Sequence, residues 1–162
     1  MVAQTVSMNT VNDFLAQKRI AIVGVSRQQP SLSISLFEEF TRRGYDMVPV
    51  NPNMPEFHGR RCFARLQDIL PPVDAALLMT SPSVTEAVVK DCADAGIRRV
   101  WIYGDTIKKQ PSPRVLQFCE EHGMQVVPGQ CPYMFLPGAG GVHRFHGFIR
   151  KITGHFPQSN AG

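Results

Sequence analysis

The sequence predicts an α/β fold built on a doubly wound, five-stranded parallel sheet. Short apolar runs rich in β-branched residues recur five times along the chain, and such runs are typical of parallel strands that are buried on both faces. Segments with helical apolar spacing separate these runs, which favours strand–helix–strand units. We therefore expect one Rossmann-like domain over residues 1–162, with its core at 18–132 and a helical C-terminal extension at 133–162.

The first half of the chain contains three of the predicted strands. Gly24 closes the apolar run of the first strand, and Asn51-Pro52 stops the second because proline restricts the residue before it. The helix between these strands has Ser33 or Ser35 as its candidate N-cap. The predicted elements are a strand at 19–25, a helix at 31–44, a strand at 45–52, helical turns at 66–70 and a strand at 73–80.

The second half contains two further strands, each preceded by a helix with recognisable end signals. Ser83 and Glu86 have the spacing of a capping box. Ser112 is a candidate N-cap before Pro113 at the first helical position, and Gly123 is the candidate C-cap. The predicted elements are a helix at 83–96, a strand at 98–104, a helix at 112–123 and a strand at 124–129.

The composition favours an anionic small molecule over nucleic acid as the ligand. The formal net charge is +4 at pH 7, and no run of Lys and Arg is longer than two residues. Nucleic-acid-binding domains usually carry a denser basic patch. We therefore predict a small-molecule ligand and no nucleic-acid partner.

The N-terminal segment and the cysteines predict a cytoplasmic protein. Residues 1–19 lack the apolar core of a signal peptide, and the sequence predicts no membrane span. The cysteines have no C-x-x-C spacing, and without a secretory signal reduced thiols are the default state. These cysteines are Cys62, Cys92, Cys119 and Cys131.

The loop after the first strand does not fit the pattern of a dinucleotide site. The G-x-G-x-x-G fingerprint requires glycine at the positions that Ser26 and Gln29 occupy. An acidic residue that would bind the ribose diol of NAD is also missing, because the second strand ends in Asn51. No Walker-type G-x-x-x-x-G-K sequence is present. These features disfavour NAD as the ligand.

The same loop has the residue types that bind a phosphate group. Gly24 permits a tight turn, the hydroxyl groups of Ser26 and Ser33 are hydrogen-bond donors, and Arg27 adds positive charge. The N-terminus of the following helix also favours an anion. A plain strand–helix connection is the alternative interpretation of this loop.

Residues 18–132 resemble the small stand-alone coenzyme A-binding proteins, which are similar to the coenzyme A-binding domain of the succinyl-CoA synthetase α subunit. The resemblance depends on the order of several short motifs rather than on any one of them. These motifs are Gly24-Val25-Ser26, Val50-Asn51-Pro52, Gly59 with Cys62-Phe63, Leu66 with Ile69, Pro72-Val73-Asp74, Trp101 and Cys131-Pro132.

The resemblance implies that the opening loop holds the pyrophosphate of coenzyme A or of an acyl-CoA. The implied phosphate contacts are Gly24, Val25, Ser26, Arg27 and Ser33. Asn51 and Pro52 would border the adenosine, and Thr80, Ser81 and Pro82 would border the adenine or the pantetheine arm. Cys131 would face the thiol of the ligand, and an inert, half-buried cysteine is the alternative.

Two features leave the details of this site open. The ligand carries a 3′-phosphate, and the arginines available to bind it are Arg42, Arg43, Arg60 and Arg61. Ser35 stands where the resembled family often has glycine, and its side chain occupies a position at which glycine would let the backbone approach closely.

The C-terminal extension has an apolar helical stripe and a basic face. It is a helix packed on the sheet, a surface for a partner or a membrane, or an anion site in which Gly138-Ala139-Gly140-Gly141 precedes His143, Arg144 and His146. His143 and His146 lack a third ligand, so we expect no metal site.

The sequence contains no nucleophile–base pair and no paired catalytic carboxylates, so we expect binding without catalysis by this chain alone. One rival hypothesis is a Rossmann-type enzyme that uses NAD(P) or another nucleotide. Another is an interaction module that has lost its ligand. A homodimer or an unidentified protein partner is compatible with each hypothesis.

Overall fold

The structure is a computed structural model that describes residues 6–28, 31–104 and 110–138. Its helices and strands follow one another as the sequence predicts, with one additional helix and one additional hairpin. The elements are α1 (Met8–Leu15), β1 (Arg19–Val23), α2 (Leu32–Arg42), β2 (Asp46–Val50), β3 (Glu56–Phe57), β4 (Arg60–Arg61), β5 (Ala75–Leu78), α3 (Pro82–Asp94), β6 (Arg99–Tyr103), α4 (Pro113–Glu121) and β7 (Gln125–Gln130).

Five parallel strands form the main sheet in the order β2-β1-β5-β6-β7. This arrangement confirms the predicted fold class. The chain first moves outward from β1 to β2 and then crosses to β5 on the other side of β1, so β1 and β5 form the switch point of the sheet. The predicted C-terminal helix, including His143, Arg144 and His146, lies outside the described residues.

Two apolar cores cover the two faces of the sheet, and the alternation of side chains along each strand separates them. In β1, Ile20 and Ile22 contribute to the core that contains the buried side chains of α1 and α2. Ala21 and Val23 contribute to the opposite core, with the buried side chains of α3 and α4. Both faces of the strands are therefore buried, which explains why the strands are apolar throughout.

Helix α1 was not predicted from the sequence. Ser7 caps it by accepting a hydrogen bond from the Asn9 N–H at 3.2 Å. Phe14 packs edge-on against Trp101 with ring centroids 5.3 Å apart, and Trp101 donates from Nε1 to the Gln130 carbonyl at 2.9 Å. Trp101 is fully buried, as expected for a core residue, and α1 covers it.

The β3–β4 hairpin is the second element that the sequence did not predict. Its turn residues His58 and Gly59 both have positive φ, 47° and 77°, as a two-residue type I′ turn requires. Beyond the hairpin, Phe63 forms a parallel bridge with Val50 and extends the sheet past β2. The chain segment after β2 therefore lies along the free edge of that strand.

The starts of two helices differ from their predicted positions. The N-cap of α2 is Ser31 rather than Ser33 or Ser35, and the N-cap of α3 is Ser81 rather than Ser83. Pro82 occupies the first helical position of α3, where proline is favoured. The predicted start of α4 at Ser112 is confirmed. Within the described ranges, no helix has the length and apolar character needed to span a membrane.

We expect Phe14→Ala to lower the free energy of unfolding by about 3–5 kcal/mol, because it removes a large buried side chain from the α1–sheet contact. Leu70→Ala is the control, since Leu70 is 78% exposed. Urea unfolding followed by circular dichroism measures both changes. Equal, small effects of the two substitutions would contradict the packing of α1 on the sheet.

Asp46 links the hairpin to the sheet and predicts a pH-dependent contribution to stability. It forms ion pairs with Arg19 and Arg60, both at 2.6 Å. Burial raises the pKa of Asp46, but hydrogen bonds from the two arginines outweigh this and hold it below its usual value of 3.8. A lowered pKa in the folded state stabilises the protein above pH 3.8, and this stabilisation is lost as the pH falls through the lowered value.

We therefore expect Asp46→Asn to reduce the free energy of unfolding at pH 7 and the difference from the wild type to shrink below pH 3.8. The effect is modest because the Asp46 side chain is 43% exposed. Urea titrations across this pH range test it. Asp94→Asn, at an exposed carboxylate, is the control that should not lower the stability. A pH-independent loss in Asp46→Asn would contradict the ion-pair explanation.

Candidate functional site

The loops that follow β1 and β5 lie side by side at the switch point of the sheet. The Met79 N–H donates to the Val23 carbonyl at 2.8 Å. Gly24 has a φ of 88°, and a Cβ atom at this position would lie 3.0 Å from the carbonyl carbon and oxygen of Met79. Glycine therefore satisfies both the backbone conformation and the close approach of the two loops.

Ser33 attaches the β1–α2 loop to the first turn of α2. Its Oγ accepts a hydrogen bond from the Ser26 N–H at 3.0 Å and lies 2.8 Å from the Ser31 Oγ. The Ser26 Oγ in turn accepts from the Gln28 N–H at 3.2 Å. Ser33 is only 5% exposed. Its structural role was not predicted, and its contact with a phosphate stays a prediction.

Helices α2, α3 and α4 all begin at the carboxyl edge of the sheet, directly after β1, β5 and β6. The N-cap residues of α2 and α3, Ser31 and Ser81, make no capping hydrogen bond with their side chains. The Ser112 side chain, by contrast, accepts from the Val115 N–H at 3.3 Å. The first-turn N–H groups of α2 and α3 therefore have no side-chain acceptor from their caps, and the positive ends of both helix dipoles favour an anion.

Asn51 connects the end of β2 to the β1–α2 loop. Its Nδ2 donates to the Val25 carbonyl at 2.8 Å, and its Oδ1 accepts from the Asn53 N–H at 2.8 Å. The following residue, Pro52, lines an open cleft of about 570 Å³ that we call the β2 cleft. The residues of the β2 cleft are Pro52, Asn53, Met54, Pro55, Arg61, Cys62, Phe63, Ala64 and Asp68.

A second cleft of about 430 Å³, which we call the β5 cleft, lies on the other side of the switch point. It brings together three predicted site residues, Thr80, Ser81 and Pro82, with first-turn residues of all three helices. The other residues of the β5 cleft are Leu32, Met79, Thr85, Ile102, Tyr103, Gln110, Pro111, Ser112 and Val115. Apolar side chains of this set suit an uncharged, flexible ligand arm.

Thr80 has a partner within the β5 cleft. Its Oγ1 lies 2.7 Å from the Oγ1 of Thr85, which also donates to the Ser81 carbonyl at 2.9 Å. The sequence prediction missed Thr85 and Gln110. The Pro111-Ser112-Pro113 sequence was a usable signal for Gln110, because it marks a helix start at the same edge of the sheet.

Cys131 follows β7 at the carboxyl edge and is 6% exposed. It is not among the described residues that line either of these two clefts. Nearby, a Cβ atom on Gly104 would lie 2.6 Å from the Gly129 Cα, so β6 and β7 end in close backbone contact. Gln110 Nε2 donates to the Gly129 carbonyl at 3.2 Å, which joins this contact to the rim of the β5 cleft.

Ser35 hydrogen bonds with the Tyr133 hydroxyl in the 3₁₀ turn after β7. Burial raises the pKa of Tyr133, and the Ser35 hydrogen bond lowers it by less. The serine side chain thus fixes α2 to the end of the last strand. Its position is explained by this contact and does not require a ligand.

The four arginines that the sequence offered for a second phosphate group differ in the partners that they contact. Arg42 and Arg43 both pair with Glu39, and Arg60 pairs with Asp46. Arg61 is exposed, lies over the Phe63 ring at 4.6 Å and lines the β2 cleft.

Cys62 is a buried thiol that lines the β2 cleft. Burial raises its pKa, and a backbone hydrogen bond with Asn51 and the positive charge of Arg27 lower the pKa by less. Arg27 itself is exposed at the surface of the β1–α2 loop. The described residues contain no group of three His, Cys, Asp or Glu side chains that could hold a metal ion.

Comparisons with known proteins identify the same stretch of the chain. The family model for the CoA binding domain matches residues 18–137. The chain is similar to an ADP-forming acetate–CoA ligase II of Archaeoglobus fulgidus, with 24% identity over 152 residues that cover 88% of this chain and 21% of the ligase. It is also similar to uncharacterized protein YneT of Bacillus subtilis, with 24% identity over 114 residues that cover 70% of this chain and 82% of that protein.

A solved structure of a hypothetical protein from Pyrococcus horikoshii OT3 has the same fold. It matches with a TM-score of 0.69 and 25% identity, and the match covers 77% of this chain and 85% of that chain. This chain spans only about a fifth of the length of the archaeal ligase that it matches, 21%. The resemblance drawn from the sequence motifs is confirmed by the family match, which contains both clefts.

Gly24→Ala should destabilise the protein more than Gly44→Ala. Both glycines have positive φ, which costs a substituted residue about 1–2 kcal/mol, but a Cβ on Gly44 has nothing within 4 Å whereas one on Gly24 meets the Met79 backbone. Urea unfolding of both variants isolates the steric contribution at the switch point. Equal losses would show that the approach of the two loops does not constrain this position.

Proposed function

This chain belongs to the CoA binding domain family, and from that membership we propose that it binds coenzyme A or an acyl-CoA at the carboxyl edge of its sheet. One observation supports this location of the site. The β1–α2 loop and the uncapped N-terminus of α2 meet at the switch point, within the matched residues. Ligands of open parallel sheets bind at this position.

The pyrophosphate of the ligand would lie against the β1–α2 loop. Gly24 lets the loop turn beside the Met79 backbone, and Val25 and Ser26 continue the backbone toward the start of α2. Ser33 holds this loop in place, so a phosphate there meets a preorganised surface. Arg27 adds an exposed positive charge that is not bonded to a carboxylate in the described part of the chain.

The two halves of coenzyme A would extend from the loop in opposite directions. The adenosine would lie toward Asn51 and Pro52 and the β2 cleft, and the pantetheine arm toward Thr80, Ser81, Pro82 and the β5 cleft. The volume of about 430 Å³ and the apolar lining of the β5 cleft suit the pantetheine arm. Cys131 belongs to the proposed site only through the family resemblance.

We propose binding without catalysis by this chain alone. The sequence has no nucleophile–base pair or paired catalytic carboxylates, and the chain matches 21% of the length of a ligase whose name states an activity with acetate and CoA. The four cysteines are buried thiols, which suits the reducing cytoplasm that this proposal assumes.

The geometry of Asn51 disfavours NAD as the ligand in the rival hypothesis of a Rossmann-type enzyme. Dinucleotide-binding domains use an acidic residue after the second strand to bind the ribose diol. Here the side chain of Asn51 contacts the Val25 carbonyl and the Asn53 N–H instead. Coenzyme A has no free ribose diol because its 3′ position carries a phosphate, so it does not require that acidic residue.

We expect coenzyme A to raise the melting temperature of the purified protein more than NAD, NADP or ATP. A ligand at 100 times its Kd stabilises the folded state by about 2.7 kcal/mol. Thermal shift ranks the four ligands, acetyl-CoA is compared with free coenzyme A, and calorimetry measures each Kd.

Ser26→Asp should abolish most of this stabilisation, because an added carboxylate repels the pyrophosphate. Ser26→Asn is the matched control, since it has nearly the same size without the charge. Stabilisation by NAD but not by coenzyme A would overturn the proposed function. Equal coenzyme A affinities of the Asp and Asn variants would instead show that the pyrophosphate lies away from this loop.

A further inference from the structure

Arg61 is a positive charge in the β2 cleft that the fold does not use. It belongs to the β3–β4 hairpin, and its guanidinium lies over the Phe63 ring rather than in an ion pair. In the described part of the chain it pairs with no carboxylate. The other arginines of this region, Arg42, Arg43 and Arg60, are bonded to Glu39 or Asp46.

A chain of contacts joins Arg61 to the β1–α2 loop. Asn51 donates to the Val25 carbonyl of that loop at 2.8 Å, and its own carbonyl lies 3.8 Å from the Cys62 sulfur. Cys62 directly follows Arg61 and lines the same cleft. Asn51 therefore connects the loop proposed to hold the pyrophosphate to the β2 cleft, which Arg61 lines.

Coenzyme A has two separate phosphate groups on one ribose. The pyrophosphate is attached to the 5′ carbon and a phosphate monoester to the 3′ carbon, so both must meet the protein at neighbouring positions. If the pyrophosphate lies on the β1–α2 loop, the 3′-phosphate is directed to the same side of that loop as the adenosine. The proposed function directs the adenosine toward the β2 cleft, which Arg61 lines.

We propose that Arg61 binds the 3′-phosphate and makes the protein selective for coenzyme A over 3′-dephospho-coenzyme A. This inference rests on the proposed function. A guanidinium binds a phosphate with two parallel hydrogen bonds, and the stacking on Phe63 fixes its plane in advance. Arg27 then serves the pyrophosphate, which both ligands share.

Two carboxylates set an upper limit on the strength of this contact. Asp68 lines the same cleft, and Glu56 is opposite Arg61 in the hairpin register. Both residues are exposed, so solvent screens their repulsion of a phosphate. We therefore expect a pair of charge-assisted hydrogen bonds at this exposed site to favour coenzyme A over the dephospho form by about tenfold.

Calorimetry with coenzyme A and 3′-dephospho-coenzyme A tests the inference in the wild type and three variants. We expect the wild type to bind coenzyme A about tenfold more tightly than the dephospho form. Arg61→Gln should remove this preference by weakening coenzyme A binding alone. Arg27→Gln should weaken the binding of both ligands by a similar factor, and Arg42→Gln, at an arginine bonded to Glu39, should change neither affinity.

The outcomes separate the inference from the proposed function. If the wild type binds neither ligand, the proposed function fails. If it binds coenzyme A and Arg61→Gln keeps the full preference over the dephospho form, the proposed function stands and the role of Arg61 is wrong. The melting temperature of each variant without ligand verifies that it is folded, and the exposure of Arg61 predicts little change.

Discussion

The two loops that leave β1 and β5 touch at backbone level, and the position of every other part of the candidate site follows from this contact. Gly24 approaches the Met79 carbonyl so closely that a methyl group would meet it at 3.0 Å. A side chain at this position would separate the loops, and helices α2 and α3 would then start farther apart. The glycine thus serves the packing of the switch point whatever ligand is bound there.

Hydrogen bonds among short polar side chains then determine the shape of the edge. Ser33 bonds to the Ser26 amide, Asn51 to the Val25 carbonyl, and Thr85 to both Thr80 and the Ser81 carbonyl. Ser33 and Thr85 each bond the loop that precedes their own helix, and Asn51 bonds the end of β2 to the β1–α2 loop. The loops are therefore held by the ends of the secondary structure, which keeps a binding surface preorganised without a ligand-specific fold.

The sequence predicted the sheet well because its signal is local and repeated. Each strand is an apolar run, and both faces are covered, so the apolar runs and their end signals identified β1, β2, β5, β6 and β7 within two or three residues. Helix α1 and the β3–β4 hairpin escaped prediction for different reasons. The helix is only eight residues long and is stabilised by the distant Trp101, and strands of two residues carry no pattern.

The starts of α2 and α3 were predicted less accurately than the strands, because serine can bond in several ways. Ser31, Ser33 and Ser35 are all plausible N-caps by residue type. Tertiary partners distinguish them, since Ser33 bonds to the Ser26 amide and Ser35 to Tyr133, which is 98 residues away in the chain. No local rule contains that information. The same holds for Arg61. The sequence does not show that neighbouring arginines form ion pairs with carboxylates and that Arg61 is left to bind a ligand.

The hydrogen bonds of Asn51 distinguish the end of β2 from the corresponding position of a dinucleotide site. Its amide is bonded to the Val25 carbonyl and the Asn53 N–H, so it closes the end of β2 where a dinucleotide site would present a free carboxylate. The amide bond to Val25 also holds the β1–α2 loop, and the main-chain carbonyl of Asn51 lies 3.8 Å from the sulfur of Cys62, which directly follows the β3–β4 hairpin. A ribose that carries a phosphate in place of its free diol suits this arrangement, because the positive charge comes from the hairpin rather than from the strand end.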